Sequence, residues 1–529
     1  TDTDTDEDKR GKYTYSESFQ ESLEGNVMLT YSKVFDKHFV TASAGTSLSD
    51  SKSTLYGFTA QGFGAEDAAQ PAYANGYEEG GTPANSEGHA RMASFFASAN
   101  YAFDSRYLFD FSYRLDGSSQ FGSKEKVAPF YSLGIGWNLH NEAFIKRLEF
   151  VNMLKVRATY GETGSVNFAP YQARDMYQYT KNDRYDGNIG VNLLSLGNEN
   201  LRWQSTRSYE LGATVGVFDR IDFSVGYYNK TTSDMVLPVT TPPSVGFSSY
   251  TENLGKMKNQ GYELSLRAFI IKKPKFNVAL FASASHNSNK ILAISSALES
   301  YNKKTDSSTG YTDQEYTQAS HKFLTRYEEG QSSTAIYAVR SLGIDPMTGK
   351  EFFLTKDGKP TTVWSADNKV VVGDTEAKVR GTFGTNVGWK GLYLNATFSY
   401  SYGGQAYNQT LVDKVENSNK FQNVDKRVLT ETWQKPGDVV KYKANLTARY
   451  VQYFTYASSR FVQDLNYLQL SSLSLQYELP RKYISPLHMQ SMRLSFNMSD
   501  VLYFSTVKRE RGTSYPYART FTLGLRANF

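Results

Sequence analysis

The chain has 529 residues, a formal net charge of +5 and no cysteine. Without cysteine there are no disulfides, thiolate metal sites or cysteine nucleophiles, and the small net charge, with Lys and Arg scattered among Asp and Glu, offers no basic face to nucleic acid. Mean hydropathy is −0.51, yet 39 Tyr and 33 Phe take the aromatic share to 15%; no run approaches the roughly 18–20 apolar residues of a spanning helix, so a polar, aromatic-rich chain points to a β-barrel with apolar side chains toward lipid and polar ones toward a wet lumen.

The first segment, Thr1–Lys9, reads TDTDTDEDK. It has neither the basic n-region nor the apolar h-region of a signal peptide. Asp2, Asp4 and Asp6 have calcium-loop spacing, but Glu7 replaces the turn glycine and Tyr13 the bidentate Glu, so a solvated acidic loop is expected. The chain therefore reads as starting in mid-protein.

Further along, the dominant period is two. Tyr107, Phe109, Phe111, Tyr113 and Leu115 share one face, while Leu108, Asp110, Ser112 and Arg114 share the other. Ile221–Tyr227, Tyr262–Ala268 and Leu392–Tyr402 repeat the pattern. A charge on the lipid face costs several kcal/mol, so Asp110 and Arg114 are expected to face the lumen. At Leu468–Leu479 the apolar residues change parity, which a β-bulge near Ser471 and Ser472 would reconcile; a later strand start would do the same.

Tight turns are expected at Asp36-Lys37, Asp104-Ser105, Asp219-Arg220, Lys272–Lys275 and Lys390-Gly391, with longer compact connections at His140–Glu149 and Pro480–Met489. They alternate with long polar stretches near 54–88, 163–200, 237–256, 291–378 and 403–463. Short connections at one end and long ones at the other are the asymmetry of an outer-membrane barrel. The expected fold class is all-β, a transmembrane antiparallel barrel contributing about 15 strands. An odd count puts the first residue outside and implies partner strands upstream of Thr1. The last strand alternates Phe521, Leu523, Leu525, Ala527 and Phe529 with polar residues, an edge that an insertion machine could pair.

Several blocks resemble the SusC/RagA family of TonB-linked outer-membrane proteins: RYLFDFSYRLDGSSQFG (106–122), APFYSLGIGWN (128–138), NEAFIKRLEFVNMLKVRATYGETG (141–164), NENLRW (198–203), YYNKTTSDM (227–235) and NLGKMKNQG (253–261). Gln204 departs from the acidic residue usual after the tryptophan. The resemblance implies a barrel of about 22 strands around a plug, with the TonB box, plug and first strands missing upstream, so that residues 1–529 form the C-terminal part. It further implies a SusD-like surface lipoprotein as lid, TonB as energy source, an oligosaccharide or oligopeptide ligand, outer-membrane lipid as surroundings, and a possible dimer of transporter–lid pairs. The function it implies is active import without bond chemistry, and a passive porin or adhesin barrel and a secreted β-sandwich glycan binder are the rival readings.

Catalytic signals are missing. No GxxxxGK[ST], HExxH or GxSxG motif occurs. His38 and His140 fall by turns, His286 at a strand end and His321 in a loop, without metal-ligand spacing. Asp110 and Asp222 read as solvated lumen carboxylates rather than a glycosidase pair. No catalytic, cofactor or metal residue is assigned. Tyr177, Tyr179, Tyr185, Tyr407 and Asn408 lie in long loops, where they could meet a ligand, a lid or a neighbouring loop.

Overall fold

The computed structural model describes residues 9, 11–63, 70–78, 81–122, 126–166, 168–240, 249–253, 255–294, 298–299, 302–303, 326–418, 423–444, 455–508 and 519–529. The acidic start, Asp2 to Glu7, and His321 lie outside them.

One antiparallel sheet dominates. Its path runs through fifteen strands in chain order: β1 (Lys12–Phe35), β2 (His38–Phe63), β3 (Ala84–Phe103), β4 (Tyr107–Ser118), β5 (Val127–Asn138), β6 (Val151–Ser165), β7 (Gln204–Val217), β8 (Ile221–Ser233), β9 (Lys256–Lys273), β10 (Phe276–Ala293), β11 (Val379–Trp389), β12 (Leu392–Tyr407), β13 (Val462–Glu478), β14 (Ser491–Ser505) and β15 (Phe521–Asn528). A sixteenth, Ala74–Tyr77, pairs on the flank of β2. The chain divides into two compact units, one of Thr1–Ile135, Tyr160–Arg207 and Thr232–Leu254, the other of Gly136–Thr159, Ser208–Thr231 and Gly255–Phe529.

The expected tight turns all join neighbouring strands of this path. Lys390 (φ 47°) and Gly391 (φ 90°) both take left-handed backbone, as do Asp104 with Ser105 and Phe218 with Asp219. Paired positive φ values match the twist of two antiparallel strands, which is why these hairpins close so tightly. Aromatic rings crowd the same end. Phe35 stacks on His38 at 5.2 Å, His38 meets Phe103 at 5.0 Å and Phe103 stacks on Tyr107 at 6.4 Å. Such a row is the interfacial girdle of a membrane barrel.

The long connections differ from plain loops. β2 continues to Phe63 and β3 starts at Ala84, so both ends of the expected loop at 54–88 are strand. The apolar alternation lapses at Asn85, Ser86, Glu87 and Gly88 while the ladder persists, as it can where both faces are wet. Residues 163–200 contain the hairpin Met176–Ser195, 237–256 a shorter hairpin, and 291–378 a four-stranded sheet. His286 lies inside β10, not at its end.

The parity change resolves as a bulge. Leu470 pairs Phe398 and Ser472 pairs Thr397, and on the other edge Leu470 pairs Leu502 and Ser472 pairs Ser499. Ser471 is skipped on the β12 side and lies at the register shift on the β14 side. Leu468, Leu470, Leu473, Leu475 and Tyr477 then stand opposite Tyr400, Phe398, Ala396, Leu394 and Leu392, forming one apolar face. A second bulge falls at Ile270 in β9.

On that face Phe398 stacks on Phe383 at 5.0 Å. Replacing it by Arg should destabilise the folded barrel by about 2–4 kcal/mol, whereas Arg at Ser399, on the opposite face, should cost about 1 kcal/mol or less. Heat-modifiable gel mobility in lipid vesicles reads the difference; equal losses for F398R and S399R would contradict the assignment of faces.

Candidate functional site

Most fully buried side chains lie in the long connections rather than the fifteen wall strands: Tyr337, Phe461, Leu201, Ile336, Glu416, Val339, Val412 and Val415 are all under 2% exposed. These clusters lie in the connections opposite the tight turns.

In the first unit three sequence-distant segments are clasped. The Trp203 ring lies 4.5 Å from Phe121 and 5.6 Å from Phe130, and Phe168 closes on Phe121 at 5.2 Å. Leu201 packs with Ala173 and Val236. The Gly122 N–H donates to the Leu201 carbonyl at 3.4 Å, and a Cβ on Gly122 would land on the Glu199 carbonyl, so only glycine permits this approach. Asn253 accepts from the Arg202 N–H and donates to the Arg202 and Asp234 carbonyls, each at 2.8 Å. The Arg202 guanidinium pairs with Asp234 at 2.5 Å. Asn198 donates to the Thr251 carbonyl at 3.0 Å. The blocks DGSSQFG, NENLRW and NLGKMKNQG are thus brought together as loop ties, not as reactive groups.

In the second unit the sheet of residues 335–374 and the segments 409–418 and 455–461 share a buried ion network. Arg460 donates to Glu416 at 2.5 and 2.9 Å, to Glu351 at 2.8 Å and to the Lys441 carbonyl at 2.8 Å. The Thr455 hydroxyl lies 2.6 Å from Glu416. Burial pushes the Glu416 carboxyl up, but the Arg460 guanidinium, with Lys443 and Thr455, more than offsets this and holds it below the usual range. Burial in turn lowers the Lys443 ammonium. Around the network, the Trp433 indole donates to the Pro346 carbonyl at 2.8 Å and the Trp364 indole to the Ala457 carbonyl at 3.1 Å.

Of the loop residues singled out from sequence, Tyr177 and Tyr179 stand exposed, at 65% and 71%. Tyr407 packs on the cluster around Phe461, and Asn408 caps the turn at 409–411 by accepting from the Leu411 N–H at 3.2 Å. The Tyr185 side chain is outside the described residues. His38 meets the Tyr101 hydroxyl at 2.8 Å, and His140 and His286 meet the Leu154 and Lys378 carbonyls at 3.1 and 2.7 Å. Among the described residues no group of three His, Cys, Asp or Glu could hold a metal. Asp110 and Asp222 fall in different compact units. Glu416, Arg460 and Glu351 carry no sequence signal, because 44 and 109 residues separate Arg460 from its two carboxylates.

An alternating antiparallel sheet with tight turns at one end and self-packed loops at the other defines a membrane β-barrel of the outer-membrane type. The TonB dependent receptor-like β-barrel family matches residues 2–340, and the chain belongs to that family, one of outer-membrane receptors and transporters and not of enzymes. It is 28% identical to TonB-dependent receptor P3 of Formosa agariphila over 95% of this chain and 52% of that protein. It is 31% identical to the TonB-dependent receptor SusC of Bacteroides thetaiotaomicron over 38% of this chain and 21% of that one. Among solved structures, the RagAB peptide importer in its closed-closed state superposes with a TM-score of 0.80 at 23% identity, covering 98% of this chain and 56% of that chain. The chain spans about half the length of the curated relatives it matches.

Two outcomes follow from the clusters. Asn253→Ala removes three hydrogen bonds, so local opening of 198–203 should become about 1–3 kcal/mol easier; hydrogen exchange at the Arg202 amide reads this, and an unchanged rate would contradict the clasp. The Glu416 pKa is depressed, so its stabilisation is complete above the ordinary glutamate range and is lost as pH falls through the lowered value. Protease resistance of residues 409–418 and 455–461 should therefore hold through the neutral range and fall off only below the ordinary glutamate range, while Glu416→Gln, which leaves Arg460 with Glu351 as its one carboxylate, should lower it at pH 7 by about 1–3 kcal/mol. Resistance in E416Q equal to wild type would contradict the network's role.

Proposed function

We propose that this chain is the C-terminal barrel portion of a TonB-dependent importer that takes up oligomeric nutrients, an oligosaccharide or an oligopeptide, with a SusD-like surface lipoprotein over its loop-bearing end. The observation that carries the reading is the sidedness of the sheet. Short girdled turns occupy one end of the strands, and structured, self-packed connections occupy the other. The RagAB neighbour is named a peptide importer, which supports the oligomer class, and the sequence blocks that resemble the SusC/RagA family support a lipoprotein partner.

Incompleteness of the sheet supports the domain reading. Among the described residues, β1 and β15 each pair on one edge only. In hydrocarbon each unpaired backbone group costs several kcal/mol, so further strands of the same protein would have to close the wall. TonB-linked energy would enter through a plug held inside that wall.

Cells expressing the whole protein should accumulate a fluorescent oligopeptide or oligosaccharide of one class, and a protonophore should abolish the uptake. Uptake that survives collapse of the proton gradient would favour a passive pore and overturn the proposal.

A further inference from the structure

The apolar face of the first unit carries a groove of about 840 Å³. Its floor is one row across four strands, Gly25, Leu48, Ala93 and Gly117, aligned by the printed register and flanked by Val127. The row on the short-turn side is bulky, with Phe95 opposite Leu115, and the row on the other side is polar, with Leu23, Asp50 and Arg91 aligned. A Cβ added at Gly25 would meet nothing within 4 Å, and one at Gly117 would make only ordinary contact with Val127. The groove therefore exists because small residues stand where the rest of the face carries large ones.

Its height is fixed by the strand. Ten residues separate Tyr107, in the aromatic girdle, from Gly117. At about 3.3 Å per residue and a tilt of about 35–45°, that is about 25 Å, the height of the apolar band. The groove thus lies where hydrocarbon gives way to headgroups, on the leaflet at the long-connection end.

Charge at its upper lip is unbalanced. Arg91, Lys126 and Arg174 line it. Asp50 is the one carboxylate of the outward row, and it is already engaged by His89 at 2.6 Å and Arg91 at 3.0 Å. Glu24 also borders the groove, so three cations stand there against two carboxylates. Lys126 and Arg174 make no ion pair with any described residue. An apolar trench of ligand-site size beneath such a cationic lip fits an acyl chain below an anionic headgroup.

We propose that this groove binds a phosphorylated, multiply acylated lipid of the outer leaflet, its phosphate held by Arg91, Lys126 and Arg174 and an acyl chain laid over Gly25, Ala93 and Gly117. This rests on the outer-membrane location, with the long connections outside, and not on what the protein imports.

Native mass spectrometry of the whole protein in detergent, supplied with diphosphoryl lipid A, tests it. Wild type should retain the lipid, whereas the pair Lys126→Gln with Arg174→Gln, and separately Ala93→Phe, should each lower occupancy about ten-fold. Lys272→Gln, at a short turn, should bind like wild type, and heat-modifiable mobility should report each variant folded. Unchanged occupancy in both groove variants, or equal retention of phosphatidylcholine, would overturn the proposal. So would a change of oligomeric state in A93F with lipid retention intact, which would assign the groove to a second copy of the chain.

Discussion

Backbone hydrogen bonding in hydrocarbon is the constraint on which the rest of this chain depends. No water is available inside a bilayer to satisfy a peptide group, and each one left unpaired costs several kcal/mol, so a strand can cross only beside another strand. Fifteen strands laid side by side in chain order meet that demand, each pairing with its neighbour along the path. Once the ladder is fixed, alternation follows without further choice. One parity must be apolar, as in the rungs Leu394–Leu475 and Phe398–Leu470, and the other is free to be polar, as in Asn386–Asn395.

The same constraint explains where conventional packing appears. Wall strands divide their side chains between two solvents and have little left to bury in one another. The connections at one end stand in water and must fold as soluble proteins do, around small cores such as Val412, Val415, Tyr442 and Phe461. Glu416 and Arg460 are the extreme case, a buried ion pair that ties together segments 44 residues apart. Such packed surfaces, not catalytic groups, are what the proposed import path would need at its mouth.

Much of the wall was legible in the sequence because period two and turn chemistry are local. The strand number, the tight turns and the bulge at Ser471 all follow from residues within a few positions of one another. The ends of β2 and β3 did not, because a ladder can continue after its apolar face has ended. The loop cores were hidden for a different reason. Trp203 finds Phe121, and Arg460 finds Glu351, only after the chain has folded back across many residues, and no local pattern encodes those meetings. The blocks that resemble SusC and RagA marked the first of these clusters by family likeness, while nothing marked the second. Ligand contact is the least legible feature, since exposed Tyr177 and Tyr179 differ from any other surface aromatic only by where they stand.

The absence of native cysteine makes the alternation directly measurable. Single cysteines placed along residues 468–477 of the whole protein in vesicles can carry spin labels read by lipid-soluble oxygen and a water-soluble nickel chelate. The account predicts oxygen access at 468, 470, 473, 475 and 477 and nickel access at 469, 472, 474 and 476, with the phase broken at Ser471. Uniform access to the chelate, or a period of two that runs unbroken through Ser471, would contradict it.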